Sequence, residues 1–335
     1  MAADLVVRRP QGLYCPAGDF YVDPWRKVER AVITHAHADH ARAGHRHYLA
    51  SRRGVGVLRA RLGPHIDVMG LGWGEPLTIG GARVSLHPAG HILGAAQVRI
   101  EVDGQVWVAA GDYFHSTQGD VNPSCDDFEP VACDCFITEA TFGSPIYRWP
   151  RHADVFDDLR RWWSVNAAAG EGSVVGAYSL GKTQHVLACL DADAGPLYVH
   201  PAAEAINAAH AAEGVRLPPV RPWRELDDPR SLRGALVVAP PSAASPWRWQ
   251  RAVRVREAFA SGWMQQHGAR HRAGLDRGFV LSDHADWPGL LAAVAATGCE
   301  RVIVTHGDEA VLARALSERG LQCGSFRTSF GDEAA

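Results

Sequence analysis

Apolar positions along this chain fall into short runs, most of them closed by a polar or charged residue. Residues 30–34 read as a buried strand leading straight into His35. Upstream, residues 13–23 alternate and finish in Phe20-Tyr21-Val22-Asp23-Pro24, a strand ending in a carboxylate. Residues 84–88 predict a strand running into Ala89-Gly90-His91. Residues 97–102 and 105–109 alternate around Asp103-Gly104, a hairpin signal, and the second arm ends at Gly111-Asp112. Residues 135–138 form another apolar strand, ending at Glu139. From about residue 148 the texture changes. Val155, Phe156, Leu159 and Trp162 or Trp163 give a helical stripe. Residues 173–177, 197–200 and 235–239 read as strands between helical segments, with a helix over 181–190. Dense Pro and Arg over 218–233 mark a loop-rich edge. Residues 278–281 and 301–304 then resume the earlier pattern, before Ser282-Asp283-His284 and Thr305-His306-Gly307. The whole predicts an α/β chain: an αββα-type sandwich from residues 1–147 and 276–335, interrupted by a smaller α/β domain at 148–275.

The run His35-Ala36-His37-Ala38-Asp39-His40 places three imidazoles and a carboxylate within six residues at a strand end. Such a loop can aim His35 and His37 at one cation and turn Asp39 and His40 toward a second. Mixed imidazole and carboxylate donors suit Zn²⁺, with Mn²⁺ or Fe²⁺ as alternatives. Two cations about 3.5–4 Å apart need a bridging carboxylate and can ionise a water near neutral pH. Asp112 is the candidate bridge. His91 would complete the first site and His306 the second. Taken singly, His91 reads equally as a turn histidine, Asp112 as a turn cap and His306 as a strand end. What joins them is that each follows an apolar strand, as the His-rich loop does. Asp23 fits a different task, orienting a ligand by hydrogen bonding. Glu139 and His284 form a further pair: a departing alkoxide needs a proton, and an imidazole held by a carboxylate can supply it. Ser282-Asp283-His284-Ala285-Asp286 also reads as a helix N-cap followed by acidic first-turn residues.

Composition narrows the setting. At 47% hydrophobic and 21% charged, the 335 residues can bury a real core. No apolar run approaches the roughly 18 residues of a membrane-spanning helix, and no secretory signal opens the chain. Seven cysteines, an odd count without a CxxC pair, fit a reducing cytoplasm. The net charge of −3 excludes a globally basic nucleic-acid binder, so any attraction for phosphate must be local. The basic residues are almost all Arg; the lysines are Lys27 and Lys182.

These motifs resemble those of the metallo-β-lactamase superfamily, and specifically its β-CASP nucleases. His-Ala-His-Ala-Asp-His matches the HxHxDH motif; Ala89-Gly90-His91-Ile92-Leu93-Gly94 and Gly111-Asp112-Tyr113 resemble the third and fourth motifs. Thr138-Glu139-Ala140-Thr141-Phe142-Gly143 is similar to the β-CASP acidic motif. Ser282-Asp283-His284-Ala285-Asp286 and Val304-Thr305-His306-Gly307-Asp308 are similar to its two histidine motifs. The resemblance implies a metallo-β-lactamase sandwich whose insert, the β-CASP domain, closes over the metal site and channels a nucleic-acid strand. Leu13-Tyr14-Cys15-Pro16-Ala17-Gly18-Asp19-Phe20, the short insert and Ala260-Ser261-Gly262-Trp263-Met264 look most like the bacterial DNA ligase-associated exonucleases. That implies a DNA exonuclease acting at ends, with an ATP-dependent DNA ligase as associated partner. His306 points the other way, since His at the last motif goes with RNA substrates in this family and Val with DNA.

Candidate strand contacts complete the reading. Ser179, Lys182, Thr183 and Gln184 sit where a strand opens into a helix, a place where backbone N–H groups and a lysine can meet phosphate. Arg248, Arg251 and Arg254 fall at helical spacing after Trp247 and Trp249, a pattern suited to gripping and stacking single strands. Arg270, His271 and Arg272 form a weaker cluster in an expected loop. The expected activity is two-metal phosphodiester hydrolysis on DNA, the alternative the same chemistry on RNA. A small-molecule (thio)ester hydrolase is the third reading, disfavoured because it has no need of Glu139 and His284.

Overall fold

The structure, a computed structural model, describes residues 3–190, 195–243 and 253–326. It divides into two compact units, the first made from Met1–Tyr147 with His284–Ala335, the second from Arg148–Asp283. In the first, β1 (Val7–Arg9), β2 (Gly12–Cys15), β3 (Phe20–Val22), β4 (Arg30–Val32), β5 (His47–Ser51) and β6 (Val68–Leu71) form a six-stranded sheet in chain order. The alternation over 13–23 is therefore a hairpin, β2 against β3, and not one strand. Asp19 takes φ +50° between them, a left-handed conformation that Asp tolerates and that reverses the chain. Helix α1 (Val55–Leu62) packs against β6. Strands β7 (Leu77–Ile79), β8 (Ala82–Pro88), β9 (Ala96–Val102), β10 (Gln105–Ala109) and β11 (Cys135–Ala140) begin a second sheet.

The second unit opens with α2 (His152–Ala168), whose Val155, Phe156, Leu159 and Trp163 are buried as the periodicity requires. Then follow β12 (Gly172–Gly176), α3 (Lys182–Ala188), β13 (Leu197–Val199), α4 (Glu204–Ala212), β14 (Leu236–Ala239), β15 (Val255–Ala260), α5 (Ala269–Arg272) and β16 (Arg277–Phe279). The five strands form one parallel sheet in the order β13-β14-β12-β15-β16. Three expectations shift here. Strand β16 pairs with β15, so residues 276–283 belong to this unit and not to the sandwich. Arg270, His271 and Arg272 lie on the short helix α5, not in a loop. Arg254 is not helical: it immediately precedes β15, with Nη1 3.5 Å from Glu171 Oε1. Arg248, Arg251, Trp247 and Trp249 lie outside the described residues.

The chain returns to the first unit through α6 (Trp287–Thr297), β17 (Arg301–Gly307), α7 (Glu309–Ser317) and β18 (Gln322–Ser325). Helix α6 is capped by Asp286, whose carboxylate accepts from the Gly289 N–H at 2.9 Å. The completed second sheet runs β18-β17-β11-β10-β9-β8-β7, with α6 and α7 packed on it. One core cluster joins Phe20, Val22, Val32 and Leu49 of the first sheet to Leu86, Val98, Trp107, Ile137 and Ile303 of the second, so the two sheets face one another.

Strand direction then decides where the polar residues go. Strands β3 to β6 are mutually parallel, as are β10, β11, β17 and β18. Strand β8 runs the same way as β10, because each is antiparallel to β9. Asp23 follows β3, the His-rich loop β4, His91 β8 and Asp112 β10. Glu139 and His306 sit near the exits of β11 and β17. Within each sheet these positions are C-terminal ends of strands that run the same way, the usual location of sites in layered α/β folds.

Candidate metal centre and acid pair

Thr34 is the first fixed point. Asp23 takes φ +43° and turns its carboxylate back onto the loop after β4. Its Oδ1 accepts the Thr34 N–H at 2.7 Å, and its Oδ2 accepts the Thr34 hydroxyl and approaches His40 Nδ1 at 2.7 Å. A carboxylate only accepts, so His40 carries hydrogen on Nδ1. The Thr34 hydroxyl, donating to Asp23, is in turn an acceptor for His35 Nδ1 at 3.1 Å. One carboxylate thereby sets the orientation of two imidazoles and turns Nε2 of each inward. Arg61 adds a second anchor, donating Nη1 to the carbonyls of Ala36 and Ala41 at the two ends of the loop.

Around the inward nitrogens the geometry tightens. One donor atom from each of His35, His37, His91 and Asp112 lies within 4.8 Å of all the others. His37 Nδ1 is 3.1 Å from His35 Nε2 and 3.1 Å from His91 Nε2. Asp112 Oδ2 stands 3.5 Å from His35 Nε2 and 3.8 Å from His91 Nε2, and its Oδ1 is 3.3 Å from His40 Nε2. Gly111 makes this approach possible: at φ +60° it carries no side chain, and a Cβ there would lie 2.6 Å from Thr34 Oγ1. Gly307 serves the other strand, since its Cβ would fall 2.1 Å from the Ala140 carbonyl. Beside it His306 is held at φ +56°, a conformation rare outside glycine and characteristic of functional sites.

The donor set fits a divalent cation. His37 Nδ1 stands 3.1 Å from both His35 Nε2 and His91 Nε2, and a single hydrogen cannot serve both contacts. His40 Nε2 is buried and faces the carboxylates of Asp112 at 3.3 Å and Asp39 at 3.7 Å without a well-aligned hydrogen bond to either. Burial, then the neighbouring His40, holds the His35 imidazole well below its ordinary pKa, leaving a neutral ring with a lone pair. Burial likewise disfavours charge on His40, but Asp112 and Asp23 outweigh it and hold that imidazole well above its ordinary value. Asp112 shows the complement: burial pushes its carboxyl up, and His40 and His35 bring it well below the usual carboxylate range. A buried carboxylate between polarised imidazoles is a bridging ligand's setting.

Asp39, His40 and His306 adjoin this cluster but are drawn together less closely. The rings of His40 and His306 stack with centroids 5.2 Å apart, and Asp39 Oδ2 is 3.7 Å from His40 Nε2 with 45% of its side chain exposed. Glu139 and His284 are paired, His284 Nδ1 lying 2.9 Å from Glu139 Oε2 and 3.1 Å from Oε1. Glu139 is fixed as well by the Tyr113 N–H at 2.8 Å. Donor atoms of Glu139, His284 and Asp112 also fall within 4.8 Å of one another, so this pair adjoins Asp112. Sequence reading kept the two groups apart. It also missed Thr34 and Arg61, whose roles depend on distances no spacing encodes.

The expected strand contacts in the second unit are placed differently. Lys182 is buried, with Nζ 2.9 Å from Asp283 Oδ2, and Asp283 Oδ1 lies 2.7 Å from the buried His185 Nδ1. Burial pulls the Lys182 pKa down against the attraction of Asp283. Gln184 and Thr183 are buried too: Gln184 Oε1 accepts from Gly181 N at 2.7 Å, its Nε2 donates to Ser179 O and Asn207 Oδ1, and Thr183 Oγ1 donates to Tyr178 O. Of the four, Ser179 alone is partly exposed. The strand-to-helix turn spends its polar groups internally because a seven-residue helix in a packed unit needs them as caps. Lys182→Met should therefore destabilise the protein by about 3–5 kcal/mol in urea unfolding, the cost of stranding one member of a buried pair. A solvent-facing phosphate contact would change stability by no more than about 0.5 kcal/mol.

Comparison with known proteins adds context to this geometry. No protein-family model matches the chain. It is 34% identical over 318 residues to a "Probable DNA ligase" of Opitutus terrae, an alignment covering 94% of this chain and 30% of that protein. It is 28% identical over 105 residues to an "RNase J-like protein" of Methanocaldococcus jannaschii, covering 31% of this chain and 24% of that one. The chain thus spans less than a third of either relative. A solved structure, a protein of unknown function from Enterococcus faecalis V583, is similar with TM-score 0.55 at 12% identity, covering 82% of this chain and 74% of that one. At that identity the likeness speaks for the fold alone. Among the described residues no helix is long and apolar enough to cross a membrane.

Proposed function

We propose that this chain is a metal-dependent phosphodiesterase of the β-CASP type, acting on nucleic-acid ends. The observation that carries the reading is the convergence of His35, His37, His91 and Asp112 beside a carboxylate-held imidazole, Glu139–His284. His35, His37 and His91 would hold one cation, Asp39, His40 and His306 a second, with Asp112 between them. Zn²⁺ suits the donors and Mn²⁺ is an alternative. Divalent cations there supply Lewis-acid neutralisation of phosphoryl charge and lower the pKa of water. The protein's own groups do the rest. Asp23 orients His40 directly and His35 through Thr34. Glu139 takes the Nδ1–H of His284, which puts the transferable proton on Nε2, for delivery to the departing oxygen. In this reading 1–147 and the returning C-terminal segment form the metallo-β-lactamase domain, and the unit from residue 148 is the β-CASP insert.

DNA is the favoured substrate, because the likeness that covers nearly all of the chain is to a protein named as a DNA ligase. End-trimming beside an ATP-dependent ligase is part of the same proposal. RNA is the second reading, favoured by His306 and by the RNase J-like relative. A divalent-metal screen on matched end-labelled DNA and RNA strands tests both. Metal-dependent release of short products from DNA is expected; equal or faster RNA cleavage would overturn the substrate assignment, and no cleavage of either would overturn the nuclease reading.

A further inference from the structure

Immediately beside the metal-ligand loop the first unit carries an open groove of about 640 Å³ whose lining includes Trp25, Arg26, Lys27, Ala38, Arg42 and Arg61. Among the described residues that line it there is no carboxylate. In a chain of net charge −3 this is a local concentration of four cations. Lys27 is one of two lysines in the whole sequence, and the other is buried against Asp283. The groove adjoins the candidate centre. Trp25 lines both it and the smaller cavity bounded by Asp39, His40 and His306. Ala38, between ligand candidates His37 and Asp39, forms part of its wall.

Each side chain has a part suited to a polyanion. Arg26, Lys27 and Arg42 are exposed, so their charges reach solvent. Arg61 is half-buried, and its guanidinium pins the Ala36 and Ala41 carbonyls, coupling the groove floor to the loop that bears His37, Asp39 and His40. The Trp25 indole is fixed by donating Nε1 to the Pro10 carbonyl at 2.8 Å, and remains partly exposed. A fixed aromatic face among cations answers the repeat of a single strand, one phosphate and one base at a time.

We infer that this groove binds the phosphate backbone of a single nucleic-acid strand beyond the cleaved linkage, with Trp25 stacking a base at the junction with the metal centre. The inference rests on the phosphodiesterase reading above and adds to it a path for the strand within the first unit.

The test is equilibrium binding of fluorescein-labelled, cleavage-resistant strands, phosphorothioate DNA and 2′-O-methyl RNA, across a range of salt. The Arg26→Ala/Lys27→Ala protein should bind on the order of tenfold more weakly than the unsubstituted protein. Its dependence of log affinity on log salt should be shallower by about 1.4, from two lost phosphate contacts at roughly 0.7 each. Lys27→Arg should restore most of the loss contributed by Lys27. Unchanged affinity and slope would overturn the groove, as would equal capture of a poly-glutamate peptide, which would identify an acidic protein partner instead. Hydrolysis of bis(p-nitrophenyl) phosphate by the unsubstituted protein with Zn²⁺ or Mn²⁺ is measured alongside. Absence of that hydrolysis with the salt effect intact would defeat the phosphodiesterase reading and leave the groove; hydrolysis without the salt effect would do the reverse.

Discussion

Exchanging Asp112 for asparagine should lower phosphodiester hydrolysis by about 10³-fold or more, the equivalent of roughly 4 kcal/mol of transition-state stabilisation. Asparagine keeps the shape and the burial while removing the charge. In the present arrangement Asp112 faces His35 and His91 through one oxygen and His40 through the other. Among the described residues it belongs both to the cluster with His35, His37 and His91 and to the group with Glu139 and His284, and its other oxygen faces His40. Without its charge, His40 loses one of the two anions that hold its pKa up, and Asp23 alone remains against it. Metal content measured on the same preparation should fall together with activity. Near-normal hydrolysis by Asp112→Asn would remove the bridge from the account.

Replacing His284 by alanine should lower strand cleavage about 10²–10⁴-fold, the range for loss of a general acid. The informative comparison is the leaving group. A sugar alkoxide needs a proton as it departs, whereas p-nitrophenolate does not. Activity on bis(p-nitrophenyl) phosphate should therefore fall far less than activity on a strand. Glu139→Gln should show the same asymmetry, more weakly, because a neutral amide still orients the imidazole but no longer favours its charged form. Equal losses on both substrates would mean that His284 holds the centre together and does not move a proton.

Much of this was legible in the chain. The hexapeptide 35–40 and the outlying His91, Asp112 and His306 all follow apolar runs, and parallel strands carry such ends to one edge of a sheet pair. Residue type and period were enough to anticipate that convergence. Two kinds of information were not. The first is turn geometry: Asp19 at φ +50° makes a hairpin of a stretch whose alternation reads as one strand, because period two continues through a tight reversal. The second is burial of charge. Lys182 sits in a context suited to phosphate, yet its partner Asp283 is 101 positions later in the sequence, and pairing over that distance is a property of packing. Thr34 and Arg61 were missed for the same reason: threonine in a strand end and arginine in a helix carry no signal until the loop is folded against them. The basic groove was not visible: the scarcity of lysine drew attention to Lys182, and the groove's residues come from three separate segments.

The central claim is that the clustered imidazoles and carboxylates hold a pair of divalent cations with Asp112 between them. Anomalous scattering from crystals grown with Mn²⁺ tests it most directly. Two peaks are predicted, one among His35, His37, His91 and Asp112, the other beside Asp39, His40 and His306. A single peak among Asp112, Glu139 and His284, or none in the cluster, would contradict it.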